Sequence, residues 1–217
     1  MILKPFVIVI SGYSGSGKST MIAELVRRIP EATALYFDDY ASKNDFPVNI
    51  ADWIASGGDV DVITTPLLRE HLHQLMKGES VSFIKGNGWA KEYGFDNQNR
   101  EMVTIHPGQF IIVEEPFGRE RKEIQELIDY VIYIDLEPEI ALGRRINDLI
   151  TYLRDDSTVL INMLDHYLYD YLHHGIREMY IEFGKRVKGN SDLIINGRNR
   201  IEDNIEIVVK KLKELNR

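Results

Sequence analysis

Gly12, Gly17, Lys18 and Ser19 satisfy the spacing G-x-x-x-x-G-K-[ST] inside the stretch VIVISGYSGSGKSTM. Glycines at those positions let successive backbone N–H groups turn inward around phosphate oxygens, and the helix that follows presents its positive end to them. A lysine at this spacing reaches the β- and γ-phosphates, and the adjacent hydroxyl ligates Mg²⁺. The pattern predicts a triphosphate cradle made by Gly12, Tyr13, Ser14, Gly15, Ser16, Gly17, Lys18, Ser19 and Thr20, with ATP and Mg²⁺ as the cofactors it implies.

Two further acidic positions supply what phosphoryl transfer to an alcohol requires. A carboxylate must accept or orient the hydroxyl proton while cations spread the charge on the moving group. The run TALYF reads as a buried strand that delivers Asp38 and Asp39 at its carboxyl end, where open α/β sheets bind ligands. Glu114 closes a second apolar run, QFIIVEE, in the place where a carboxylate holds Mg²⁺ or its waters or assists the substrate. Glu115 competes with it: strand side chains alternate, so only one of the two shares the orientation of Ile112, and the local pattern leaves the choice open.

The elements that must position these groups follow from periodicity. Phe6 to Ile10 is a β-branched run entering the glycine loop, and Ile22, Leu25, Val26 and Ile29 then follow helical spacing up to Pro30. NIADWIASGG and TPLLREHLHQLMKG read as helices, with Pro66 suited to a first turn. SVSFIK and EMVTI, around the Asn87-Gly88 turn signal, predict a small antiparallel flap spanning 79–106. RERKEIQELI reads as a helix and YVIYIDL as a strand, and Leu142, Ile146, Leu149, Ile150 and Leu153 mark a further helix. Helical spacing from Ser157 to Phe183, the late strand SDLIING and a closing helix through Ile201, Ile205, Val208, Leu212 and Leu215 complete the chain. The expectation is a single α/β domain over residues 1–217, three-layered, with a mostly parallel sheet.

Composition narrows the function. The 217 residues are 44% hydrophobic, enough for one sizeable core, and the formal charge of −8 disfavours non-specific binding to a nucleic-acid backbone. Cysteine is absent, which excludes disulfides, thiolate metal sites and cysteine nucleophiles. The apolar run at the amino terminus is too short for a signal peptide or a membrane span, so a cytoplasmic protein with a small-molecule partner is expected. A phosphate loop alone is common to GTPase switches, ATPase motors and kinases. No N-K-x-D guanine reader and no L-S-G-G-Q signature accompany it, and the acidic strand runs into EEPFG, which argues against the first two.

Taken together these residues resemble the group of P-loop kinases that includes uridine kinase, nicotinamide riboside kinase and phosphoribulokinase, over most of the chain. ISGYSGSGKST is similar to the group's first motif. YFDDY resembles its strand-end aspartate followed by an aromatic, which implies Asp38 as catalytic base beside Lys18. IIVEE resembles the group's acidic strand and favours Glu114 over Glu115. ALGRRINDLITYLRDD resembles the lid that closes over ATP, placed at 139–156, and implies Arg144, Arg145 and Arg154 as phosphate clamps. SDLIINGRNRIEDNI is similar to the loop near the adenine, which implies Asn196 and Arg198 there. EYGFDNQNR is similar to the acceptor flap of uridine kinases: Tyr93, Phe95 and Arg100 match, while Gly94 and Gln98 replace the expected aspartate and histidine, and Asp96 lies two residues on. Glu115 stands where the group usually has glycine.

The remaining candidates are aromatic or basic. Tyr40 and Trp89 suit stacking on a flat acceptor alongside Asp39, Tyr93, Phe95, Arg100 and Glu114, whereas Trp53, in helical register with Ile50 and Ile54, reads as core. Arg119 reads as a surface residue, with an anion contact as the alternative. The stripe Tyr167, Leu168, Tyr171, Leu172 reads as core-facing, with a homo-oligomer seam as the alternative. The expected activity is transfer of the γ-phosphate of ATP to a hydroxyl of a small, nucleoside-like acceptor. The alternatives are a nucleotide or polynucleotide-end kinase, or a nucleotide-binding regulator with little catalysis.

Overall fold

A computed structural model describes residues 4–86 and 102–215. Its centre is a five-stranded, all-parallel sheet in the order β2 (Ala32–Tyr36), β5 (Phe110–Glu114), β1 (Phe6–Ser11), β6 (Tyr130–Asp135) and β7 (Leu193–Asn196). The central strand β1 pairs with β5 from Phe6 opposite Phe110 to Ile10 opposite Glu114, and with β6 on its other side. Strands buried on both faces need apolar residues at every position, which is what FVIVI and FIIV supply.

Alternation along β1 divides the core in two. Ile8 and Ile10 pack with Met21, Ile22 and Leu25 of α1 (Lys18–Arg28) and with Ile205, Val208 and Leu212 of α7 (Ile201–Leu215). Val7 and Val9 face the opposite layer, which holds Leu68, Leu72 and Leu75 of α3 (Pro66–Met76) and Phe183 and Val187 of α6 (Ile176–Asn190). Each fully buried aliphatic contributes about 1.5–3 kcal/mol relative to an exposed one, so the three layers are held by the same periodicities that mark them in the sequence. Trp53, in α2 (Ile50–Ala55), is buried against Phe183 and donates its indole N–H to the Asp59 carbonyl, as its register predicted.

Beyond β6 the chain forms α4 (Pro138–Leu153) and α5 (Ser157–His173), joined by a small core of Leu149, Leu153, Met163 and Tyr167. The 167–172 stripe is divided: Tyr167 and Tyr171 are buried, while Leu172 is exposed. Off the main sheet, β3 (Val81–Ile84) and β4 (Met102–Ile105) pair antiparallel. No helix among the described residues is long and apolar enough to cross a membrane.

One element differs from expectation. RERKEIQELI is not a helix; it runs through turns with a single short 3₁₀ turn at Gln125–Leu127. Helical spacing of Ile124, Leu127 and Ile128 was overridden because Arg121 points inward, where its guanidinium holds the carbonyl of Ile63 and the hydroxyl of Thr65. Arg119 pairs at the surface with Asp192, in keeping with a surface role.

Candidate active site

The loop from Gly12 to Gly17 sits at the carboxyl end of β1, and Lys18 opens α1. Lys18 is almost fully buried; its Nζ donates to the Tyr13 carbonyl at 3.0 Å and lies 3.5 Å from Glu114 Oε1. The Ser19 hydroxyl donates to Glu114 Oε2 at 3.1 Å. Glu114 ends β5 directly opposite Ile10 of β1 and Tyr36 of β2, so strand register carries it to the loop. A hydroxyl and a carboxylate, the oxygen ligands a divalent cation takes, thus share one corner with a lysine suited to a phosphate.

Glu115 turns the other way. It is fully buried, its Oε2 accepts from Arg121 at 2.6 Å, and its Oε1 accepts from the Phe117 backbone N–H at 3.1 Å. Burial pushes its carboxyl above the usual carboxylate range, with Arg121 opposing. Arg121 is also fully buried, bonds to Ile63 and Thr65, and lies 5.3 Å from the centre of the Phe37 ring. Neither residue of this pair lines the cleft.

Asp38 follows Phe37 in a 3₁₀ turn just past β2 and opens on the cleft. Although water reaches it there, the dense protein around the cleft and the nearby Glu114 push its carboxyl above the ordinary aspartate range, with Lys18 and Arg145 opposing. Asp39 and Tyr40 do not line the cleft. The Asp39 carbonyl accepts from the Gly86 N–H at 3.2 Å, and its carboxyl is raised to about 6, chiefly by burial, with Lys85 opposing. Tyr40 packs between His71, bonded to its hydroxyl at 3.0 Å, and Phe83.

The two adjacent lid arginines do different things. Arg144 donates to the Gly197 carbonyl at 3.0 Å, tying α4 to the loop after β7. Arg145 reaches the cleft, 6.0 Å from the Tyr167 ring centre, and acts on Asp38. Arg154 lies at the exposed end of α4, away from the cleft walls. Gly15 lets this helix seat on the loop: its φ is +81°, and a Cβ there would collide with the Ala141 carbonyl of α4. Asn196 and Arg198 lie behind the wall, Asn196 accepting from the Arg198 N–H and Arg198 pairing with Glu137; Gly197, Asn199, Ile201 and Asn204 face the cavity instead.

These groups surround one cavity of about 1020 Å³. The loop and the Gly197 segment line one part; Phe37, Phe46, Phe117 and Phe183, joined by ring contacts and accompanied by Met179, form an aromatic floor. Tyr13 stacks on Tyr180 at 5.9 Å, an approach open only because residue 184 is glycine, where a Cβ would lie 2.5 Å from the Tyr13 ring. Sequence reading missed this floor and Tyr180: aromatics in apolar stretches look like core, and nothing local says which of them face a hollow. Trp89, Tyr93, Phe95 and Arg100 lie outside the described residues.

Buried polar atoms rarely lack a partner. Among the described residues, four side-chain atoms do, and three of them belong to this cavity: Ser16 Oγ, Arg145 Nε and Tyr167 OH. The fourth is Arg121 Nε. Unpaired polar atoms gathered around a glycine cradle fit an anionic ligand such as the phosphates of ATP.

No family model matches the chain. The uridine kinase of Clostridium tetani is 29% identical over 98% of this chain and 96% of that protein. The uridine kinase of Oceanobacillus iheyensis is 25% identical, over 98% and 96%. A solved structure described as a possible uridine kinase from Bacillus stearothermophilus superposes with a TM-score of 0.52 at 15% identity, covering 90% of each chain, and shows the same fold. The motif resemblance therefore extends along nearly the whole chain, and the comparisons support a P-loop small-molecule kinase.

Proposed function

We propose that the protein is an ATP- and Mg²⁺-dependent phosphotransferase, working in the cytoplasm, that moves the γ-phosphate to a hydroxyl of a small, uncharged, nucleoside-like acceptor. The observation that carries this reading is Asp38: it opens on the same cavity as Lys18, Ser19 and Glu114, and Lys18 and Arg145 act on its carboxylate. Switches and motors need no base at that point; transfer to an alcohol does.

Lys18 and the loop amides hold the phosphates. Ser19 and Glu114 hold Mg²⁺, directly or through water; when bound, the ion neutralises charge on the phosphate oxygens. Asp38 takes the acceptor's hydroxyl proton as the new oxygen–phosphorus bond forms and the bond to the bridging oxygen breaks, ADP leaving with that electron pair. Arg145 offsets the charge of the moving group, and Arg144 fixes the lid to the Gly197 segment.

The aromatic floor suits a planar acceptor. Three cations on the surrounding elements are otherwise engaged: Lys43 pairs with Asp170, Arg121 with Glu115, and Arg186 binds the carbonyls of Gly57 and Gly58. An uncharged acceptor is therefore favoured over a nucleotide or a polynucleotide end, and the uridine kinases among the relatives point the same way. The test is ADP release from purified protein with ATP and Mg²⁺ across nucleosides, nicotinamide riboside, pantothenate, simple sugars and nucleoside monophosphates. One strong uncharged responder is expected. A monophosphate as best acceptor would refute the acceptor class, and ATP binding with no ADP formed on any acceptor would refute phosphotransfer.

A further inference from the structure

Tyr167 has no role in the scheme above, and its surroundings call for one. It sits on α5, lines the cavity, and is only 7% exposed. Among the described residues its hydroxyl has no hydrogen-bond partner. Ser14 of the phosphate loop and Tyr180 stand close enough to influence its proton, yet neither makes a bond of acceptable geometry. The Arg145 guanidinium stands over its ring, and Arg145 Nε is likewise buried and unpaired. An unmade hydrogen bond on a buried hydroxyl costs free energy, and that cost is recovered if a ligand oxygen completes it.

The ligand is identified by what surrounds the hydroxyl. Arg145 contributes positive charge, the loop residue Ser14 stands on the same side, and Lys18 and Asp38 complete the cavity around them. Burial raises the phenol above its ordinary value, so it is a proton donor at neutral pH. A neutral donor beside a guanidinium, facing a phosphate loop, suits an anionic oxygen. The apolar end of the cavity, by contrast, has no need of it.

We infer that Tyr167 is a further catalytic residue, whose hydroxyl donates a hydrogen bond to a terminal-phosphate oxygen of ATP, in concert with Arg145. This role rests on the phosphotransferase reading but is separable from the choice of acceptor. It makes α5, not only the lid helix, part of the phosphate site. It also gives one buried member of the 167–172 stripe a chemical function, where periodicity alone suggested packing.

The test replaces one atom. Tyr167→Phe keeps the ring and its packing, and Tyr169→Phe, exposed on the same helix, serves as control. Binding of ADP and of a non-hydrolysable ATP analogue, each with Mg²⁺, is measured by calorimetry for wild type and both variants. A hydrogen bond to a charged oxygen is worth enough that the preference for the triphosphate over ADP should fall about tenfold in Tyr167→Phe. ADP affinity should stay within twofold in both variants, and Tyr169→Phe should keep the wild-type preference. Once an acceptor is known, kcat of Tyr167→Phe should fall by at least as much as the preference. An unchanged triphosphate preference in Tyr167→Phe would overturn the role even if the protein proves an active kinase. A lowered triphosphate preference in Tyr167→Phe together with a monophosphate as best acceptor would leave only the acceptor class in error; the same lowered preference with no ADP formed on any acceptor would keep the phosphate contact and overturn its catalytic role together with phosphotransfer. Wild-type protein that binds neither nucleotide would refute the phosphate-loop reading and this role with it.

Discussion

Replacing Arg121 with Met would leave the Glu115 carboxyl fully buried without its counter-charge. Both side chains have no exposure and lie 2.6 Å apart, and Arg121 also satisfies the Ile63 carbonyl and the Thr65 hydroxyl. Removing one partner of such a pair costs about 3–5 kcal/mol, because the remaining charge has no water to return to. For a domain of this size about 2–4 °C of melting temperature corresponds to each kcal/mol, so Arg121→Met should unfold about 10 °C below wild type at pH 8. The deficit should shrink at pH 5.5. Burial already holds the Glu115 carboxyl above its ordinary value, and loss of Arg121 raises it further. A carboxyl raised in the folded state favours folding while it is protonated, and that contribution is lost as pH climbs through the folded-state value. Glu115→Met/Arg121→Met should recover much of the loss, since paired removal leaves no buried charge. Thermal unfolding followed by circular dichroism at the two pH values reads all three proteins. A single variant as stable as wild type at pH 8, or a double variant less stable than the single, would refute the view of this pair as a mutually dependent buried unit.

Other predictions concern the chemistry directly. Asp38→Asn should lower kcat by about 10²–10⁴ while ATP affinity by calorimetry stays within a few-fold; unchanged turnover removes Asp38 from the base role. Because the dense protein around the cleft and Glu114 raise the Asp38 carboxyl, the acid limb of kcat/KM should lie above the ordinary aspartate value of about 3.9, activity falling as pH drops through it; a limb at or below that value would contradict the environment described. Gly15→Ala combines a strained positive φ with a collision against the Ala141 carbonyl, so the lid cannot seat and the KM for ATP should rise about tenfold. A wild-type KM in that variant would mean that the close approach of α4 to the loop is dispensable.

Much of the architecture was legible because it rests on local rules. Buried parallel strands are continuous apolar runs, amphipathic helices repeat their apolar positions every three to four residues, and Pro66 and the loop glycines carry backbone restrictions that any reader of the chain can see. The helix expected at RERKEIQELI failed for the opposite reason. Its spacing was helical, but a buried arginine satisfied by Ile63 and Thr65, more than fifty residues away, outweighed local preference.

The phosphate loop, with Lys18 and Ser19, was determined by sequence alone, since its chemistry depends on residue types at fixed short spacing along one turn. Alternation left Glu114 and Glu115 as alternatives and the motif resemblance favoured Glu114; the register of β5 against β1 is what carries Glu114 to the loop and leaves Glu115 in the interior. Likewise Arg144 and Arg145 both line the cleft but reach different parts of it, one bound to Gly197 and the other beside Tyr167, because successive helix positions are rotated by about 100°. The aromatic floor and the unpaired hydroxyl of Tyr167 belong wholly to the tertiary structure. Whether a buried aromatic packs a core or lines a cavity depends on what lies opposite it, and that is set by helices and strands distant in the sequence.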